Sequence, residues 1–347
     1  MKALGNALPE WGVLLGPEAA EGQAAEGSRG LVGAMGQLVS LAGSPEEGAR
    51  RFHEMVETAV ELFEEGSLPR AVTVFDVADR IVRKEKVAAP LVASVKEQAQ
   101  RGLSPARLKA YAEKPEQHLP LRRVLDFFPA LSPKGLLSAL REERKREGRR
   151  LLLALLEVHG PAARQAALEE VEQLLERGTA GDEWHFLRNL LYVVRHGSDG
   201  PLDLSDFETD CVARLSETTL PPGLVKEAVA TLALVRGEKA VAALLLRLAQ
   251  LEEALLRADL APEARTETES LVDRTVAALV RQGTPRALSA VVEHGLKTNP
   301  LLGNTRARLA TLSTEDLSVD EESVQRLVRE LRSVLPLRVL GLSLIHI

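Results

Sequence analysis

Residues Ala166–Gly197 read AALEEVEQLLERGTAGDEWHFLRNLLYVVRHG, and their pattern decides the fold class. Ala167, Val171, Leu174 and Leu175 recur at the three- and four-residue spacing of one helical face. A turn marked by Gly178 and Gly181 follows, and Asp182 leads into a second helix. That helix turns Phe186, Leu187, Leu190, Leu191, Val193 and Val194 inward. Two helices so apolar cannot stand alone in water, so they are expected to stack on neighbours of the same kind.

Composition agrees. The 347 residues are 45% apolar and 27% charged, with 3% aromatics. Leu, Ala, Val, Glu and Arg dominate, which favours helices over a sandwich or barrel. The 50 acidic residues exceed the 44 basic ones, for a net charge of −6. That balance supplies no electrostatic reason to expect nucleic acid or an anionic membrane as partner. The single cysteine, Cys211, excludes an intrachain disulfide and a thiolate zinc cluster. Apolar runs are too short to span a bilayer, and no sustained hydrophobic core precedes Pro9, so a cytoplasmic protein is expected. The preference for Arg over Lys suggests a high-GC bacterial source.

Helix–Gly–helix junctions recur at Glu157–Arg164 (EVHGPAAR), Val193–Gly200 (VVRHGSDG), Leu234–Val241 (LVRGEKAV) and Val280–Ala287 (VRQGTPRA). Glycine supplies the left-handed cap that stops one helix and lets the chain fold back. Helix pairs begin near Leu121, Arg149, Trp184, Leu224 and Thr268, at uneven steps of roughly 28 to 44 residues. Upstream, Ser44-Pro45-Glu46-Glu47 is a capping-box start, and Gly66 ends the helix that it opens. Ser104-Pro105 starts another helix, and Ser318–Glu321 opens a last one.

Asp182, the Leu187-Arg188 step and the apolar run behind it resemble the helix–turn–helix unit of HEAT repeats. In that family an acid in the turn and a basic residue six positions on tie successive repeats together, which the resemblance assigns to Asp182 and Arg188. The step is partial elsewhere: Lys226 replaces the Arg where Leu220 stands for the acid, and Glu116 precedes Arg122. Ala59, Gly66, Ala71, Phe75 and Ala78 fall at the small-and-aromatic spacings of a tetratricopeptide hairpin. The resemblance implies an all-α chain: a right-handed α-solenoid of HEAT-like helical repeats with an N-terminal helical hairpin region. The expected organisation is a flexible Gly/Ala-rich lead-in at 1–43, an N-terminal helical region at 44–118, the repeat array at 119–341 and a non-native tail at 342–347. That tail, LSLIHI, resembles a translated sequencing adapter, so the natural chain is expected to continue past Gly341 in place of it.

No catalytic constellation stands out. The sequence lacks HExxH, GxGxxG after a strand, GxxxxGK[ST] and GxSxG. His53 with Glu57 and Asp182 with His185 read as local pairs; His159, His196 and His294 beside glycines read as helix-end caps. Cys211 reads as a buried helix position. The basic cluster Arg141, Arg144, Lys145, Arg146, Arg149 and Arg150, interrupted by Glu142, Glu143 and Glu147, reads first as a solvated junction between two helices.

The expected function is therefore a non-catalytic protein–protein interaction or scaffold module that binds another protein or peptide on a concave surface. No cofactor, metal, nucleic acid or membrane is expected. Trp184, Arg188, Arg144, Lys145 and Arg149 are the partner-binding candidates, since Trp and Arg are the usual hot-spot types. Arg188 also carries the structural ladder role with Asp182. Two other readings stay open: the regulatory arm of a larger enzyme truncated at the C-terminus, and a HEAT-fold enzyme of the bilin-lyase or alkyl-base DNA glycosylase kind.

Overall fold

A computed structural model describes residues 44–84, 87–178, 183–197, 202–257 and 259–309. The lead-in at 1–43, the helix expected from Ser318, the tail at 342–347 and Asp182 lie outside them. Among the described residues the regular elements are helices, and the one β-type pairing is an isolated bridge between Leu202 and Val235. The chain divides into two compact units, the first ending at Ala163 and the second starting at Arg164.

The first unit starts with α1 (Pro45–Glu64) and α2 (Leu68–Arg83). Ser44 Oγ accepts the Glu47 N–H and caps α1. Phe52, Met55, Ala59 and Phe63 of α1 pack on Ala71, Phe75 and Ala78 of α2, all buried. Gly66, with φ +98°, makes the turn between them. Helix α3 (Ala89–Gln100) lies on α1. After it the chain passes so close that a Cβ on Gly102 would stand 2.8 Å from Val60 Cγ1. Helix α4 (Pro105–Ala112) is tied end to end with α1. The Ser104 N–H and hydroxyl each donate to the Glu64 carboxylate at 2.7 Å, Arg107 donates to the Glu64 carbonyl, and Tyr111 OH donates to the Phe63 carbonyl at 3.2 Å. Side chains of α4 thus satisfy the last carbonyls of α1, and the Glu64 carboxylate of α1 accepts from the Ser104 N-cap of α4.

Helices α5 (His118–Phe127), α6 (Pro133–Glu142) and α7 (Arg146–His159) complete the unit. Phe75 lies 5.0 Å from Phe127 and 5.5 Å from Phe128, ring centre to ring centre, which joins α2 to α5. α5 also packs on α7, and so does α4. The boundary expected at 118/119 therefore falls inside the first unit: helices on its two sides bury their faces against each other. Arg122 Nε donates to the Val158 carbonyl at 2.7 Å, not to Glu116, and binds α5 to the end of α7. His159 does not cap its own helix. Its Nε2–H donates to the Leu131 carbonyl at 2.8 Å, and its Nδ1 lies 3.5 Å from the Asp126 carboxylate.

Helix α8 (Pro161–Glu176) crosses the division and buries Ala167, Val171, Leu174 and Leu175, the face read from the sequence. The second unit continues through α9 (Trp184–His196), α10 (Asp206–Leu215), α11 (Pro222–Leu232), α12 (Glu238–Leu255), α13 (Pro262–Gln282), α14 (Pro285–Leu296) and α15 (Thr305–Leu309). Helices two apart in the chain pack together here: α9 on α11 and α11 on α13, α10 on α12 and α12 on α14. Successive helices α10–α11, α12–α13 and α13–α14 also touch.

Polar ties follow the same rows. Arg195 pairs with Glu227 between α9 and α11, and Gln282 donates to the Leu232 and Val235 carbonyls at 2.6 and 2.8 Å between α13 and the end of α11. Lys239 reaches Asp210 at 2.9 Å between α12 and α10, and Arg286 reaches Glu238 at 3.6 Å between α14 and α12.

Two junctions depart from the helix–Gly–helix pattern. At Leu234–Val241 the preceding helix, α11, stops at Leu232, and Leu202 then donates to the Leu234 carbonyl and accepts from Arg236 N–H at 3.1 and 3.2 Å. Of the four expected junction glycines, Gly283 is left-handed, and Gly160 and Gly237 also have positive φ. Gly197 sits at φ −75° and needs no glycine.

Candidate functional site

The charged junction at 141–150 resolves into a reciprocal pair of caps. Helix α7 has Lys145 at its N-cap, which offers no acceptor. Glu143 substitutes: its Oε1 accepts the Lys145 N–H at 2.7 Å, placing a carboxylate at the positive end of the helix. Gly148 makes room, since a Cβ there would stand 2.2 Å from Glu143 Oε2. In return Arg149 Nη1 donates to the carbonyls of Arg144 and Glu143 at 2.6 and 3.3 Å, satisfying groups released where α6 ends. Arg149 is thus engaged in the turn, whereas the Arg144 and Lys145 side chains are exposed.

Beside this junction α4, α6 and α7 enclose an open cleft of about 660 Å³. Its apolar floor is Pro105, Ala106, Ala139, Leu151 and Leu152. Glu142, Glu143 and Glu147 stand on the rim, with Lys109 across from them. Lys109 has Glu113 at 3.8 Å and Glu147 has Arg150 at 3.2 Å. Glu142 is exposed.

Trp184 and Arg188 belong to the second unit, so the binding candidates do not form one cluster within either unit. Trp184 stacks on His185 with ring centres 3.5 Å apart. Its edge covers Gly223 at the start of α11, where a Cβ would stand 3.0 Å from Trp184 Cζ3. It therefore helps join α9 to α11 while staying half-exposed. Arg188 is exposed on α9.

The densest set of ionisable groups is one that sequence reasoning missed. His294, 1% exposed, has Nδ1 2.6 Å from Glu252 Oε1 and Nε2 3.1 Å from Arg308 Nη1. A guanidinium can only donate, so Nε2 accepts and Nδ1–H donates to Glu252. Lys297 Nζ donates to the other Glu252 oxygen at 2.5 Å. Arg308 Nε donates to Asp273 at 2.5 Å, and Nη1 also donates to the Leu302 carbonyl at 2.8 Å. Burial alone would raise the Glu252 pKa; the hydrogen bonds from His294 and Lys297, with the Lys297 charge, outweigh it and hold the carboxyl below its usual range. Both nitrogens of His294 are committed, so this Glu–His pair offers no free base. The cluster ties α12, α13, α14 and α15 together. His294 is accordingly a cross-helix residue and not the helix-end cap expected; Gly295 lies inside α14.

Other sequence readings fall into place more simply. His196 Nδ1 reaches the Tyr192 carbonyl at 2.9 Å and caps its own helix. His53 pairs locally with Glu57 at 3.1 Å. Burial pushes the Cys211 thiol up, the neighbouring carboxylates adding to it, so the sulfur stays protonated at neutral pH. Among the described residues no three His, Cys, Asp or Glu side chains are grouped to hold a metal ion, and no helix is long and apolar enough to cross a membrane.

No family model matches the chain, and no curated protein matches it. The cleft had one sequence signal: Leu151–Leu156 is apolar at every position. A helix apolar on all faces is normally buried all round, yet Leu151 and Leu152 are half-exposed at the cleft.

Proposed function

We propose that this chain is a non-catalytic protein-interaction module whose second unit is a HEAT-like helical-repeat stack. The observation that carries the reading is the alternate packing of α9, α11 and α13 in one row and α10, α12 and α14 in another. Such stacking buries a continuous core between repeats and leaves one row of helices as an extended face for a protein or peptide. The polar ties that follow the rows, Arg195–Glu227, Lys239–Asp210 and Arg286–Glu238, do the work that the family assigns to its acid–base ladder. The net charge of −6 favours a protein partner over a nucleic acid. The commitment of Glu252 and His294 to Arg308 and Lys297 supports a structural tie over catalysis at that cluster.

Cross-linking mass spectrometry on the full chain, used as bait in a high-GC bacterial lysate, tests this. A saturable protein partner with cross-links confined to one helical row or to the cleft is expected. Retention of nucleic acid or a coloured tetrapyrrole, or no saturable partner, would overturn it.

A further inference from the structure

We propose that the cleft between α4, α6 and α7 docks a basic amphipathic segment of a partner protein, its apolar side chains on Leu151 and Leu152 and a Lys or Arg against Glu142 and Glu147. This inference rests on the interaction-module reading and gives its partner a chemistry.

The first ground is apolar surface left in water. Leu151 and Leu152 sit in the most apolar run of the unit, and Pro105, Ala106 and Ala139 extend the same floor. The cleft's 660 Å³ is on the scale of pockets that bury a ligand, and a helix face seats a few side chains in such a groove at i, i+3, i+4 and i+7.

The second ground is the charge left over on the rim. Lys109 is offset by Glu113, Glu147 shares Arg150, and Glu143 is engaged at the N-terminus of α7. The Glu142 side chain forms no hydrogen bond or ion pair among the described residues. An acidic segment would meet three carboxylates here, whereas a basic one would place its cation against Glu142 with its apolar face on the floor. Rim charges of this kind select the partner and speed its approach, while the apolar contact holds it.

The test uses the full chain and a fluorescent synthetic helix with Leu along one face and Lys and Arg on the other, followed by anisotropy. Two control peptides replace the cations by Glu or the leucines by Ser. Saturable binding of the first peptide alone is expected, weakened about tenfold or more by the exposed-residue pair Glu142→Lys and Glu147→Gln. Circular dichroism checks that this variant keeps its helix content. The proposal is overturned by no saturation at millimolar peptide, by equal binding to the variant, or by equal binding of either control. A cross-linked protein partner together with any of those results would leave the interaction-module reading standing and remove only the cleft.

Discussion

At the α6–α7 junction of the first unit, Glu142, Glu147, Arg144 and Lys145 are exposed, and the polar bonds they join are between near neighbours in sequence. In the α12–α15 cluster of the second unit, Glu252, His294 and Arg308 are under 10% exposed, and their side-chain partners come from 14 to 45 residues away. The first region is the more conspicuous in sequence, but its charges fold little; they cap two helices and leave a carboxylate to spare. The second is scattered across four helices, and its buried members Glu252, His294 and Arg308 are out of water only because each is paired, with the exposed Lys297 and Asp273 closing the set. Charge density along a chain therefore marks neither a site nor a structural lock; partnering does.

The largest expected difference between the two regions is in stability. Glu252→Ala strands the His294 N–H and removes the partner of Lys297, so urea unfolding should show a loss on the order of 3 kcal/mol. Glu142→Ala should stay within about 0.5 kcal/mol of the parent. Equal losses would break the contrast.

pH sharpens it. Because the Glu252 pKa is depressed in the folded chain, its contribution is fully present above the ordinary value of 4.5 and is lost as pH falls through the lower folded value. His159 is depressed chiefly by burial, the Arg122 charge adding to it, while its bond to Leu131 and the nearby Asp126 oppose the shift. The neutral ring therefore stabilises the first unit above 6.5, and that contribution fades below it. Stability measured against pH should fall in two steps, and Glu252→Gln should remove only the more acid one.

Two glycines of the first unit separate backbone from side-chain constraint. A Cβ on Gly135 would stand 2.6 Å from the Ala130 carbonyl oxygen, a backbone atom that cannot turn aside, so Gly135→Ala should cost about 2 kcal/mol. At Gly148 the obstacle is the tip of Glu143, which can swing away at the loss of one cap, about 1 kcal/mol. Thermal melts of both variants check the order.

The smallest effect is expected at Arg188→Ala, below about 0.5 kcal/mol for an exposed guanidinium. A loss nearer 1 kcal/mol would support the Asp182–Arg188 ladder that the resemblance implies.

The helices were legible because their signals are local. Ser44, Ser104, Ser132 and Thr284 each cap the N–H three residues on, and Ser44, Ser104 and Ser132 stand out in sequence beside a proline. Trp184–His196 begins and ends where the apolar pattern says. The candidate cleft was half legible: the all-apolar run of α7 announced buried surface, but that Pro105 and Ala106 of α4 complete its floor depends on how α4 is tied to the end of α1. His159 and His294 look identical in sequence to His196, each beside a glycine, yet only His196 caps its own helix.

What this sequence determined by itself is the set of helices, their buried faces and most of their ends, since caps, glycine turns and apolar periodicity act within about one helical turn. Tertiary structure alone decided where the units divide, that Leu151 and Leu152 face a cleft, and which charges are buried in pairs. Those outcomes hang on side chains such as Glu252 and His294, 42 residues apart, meeting at one point. A residue's type and immediate neighbours carry no record of a partner that packing brings from that distance.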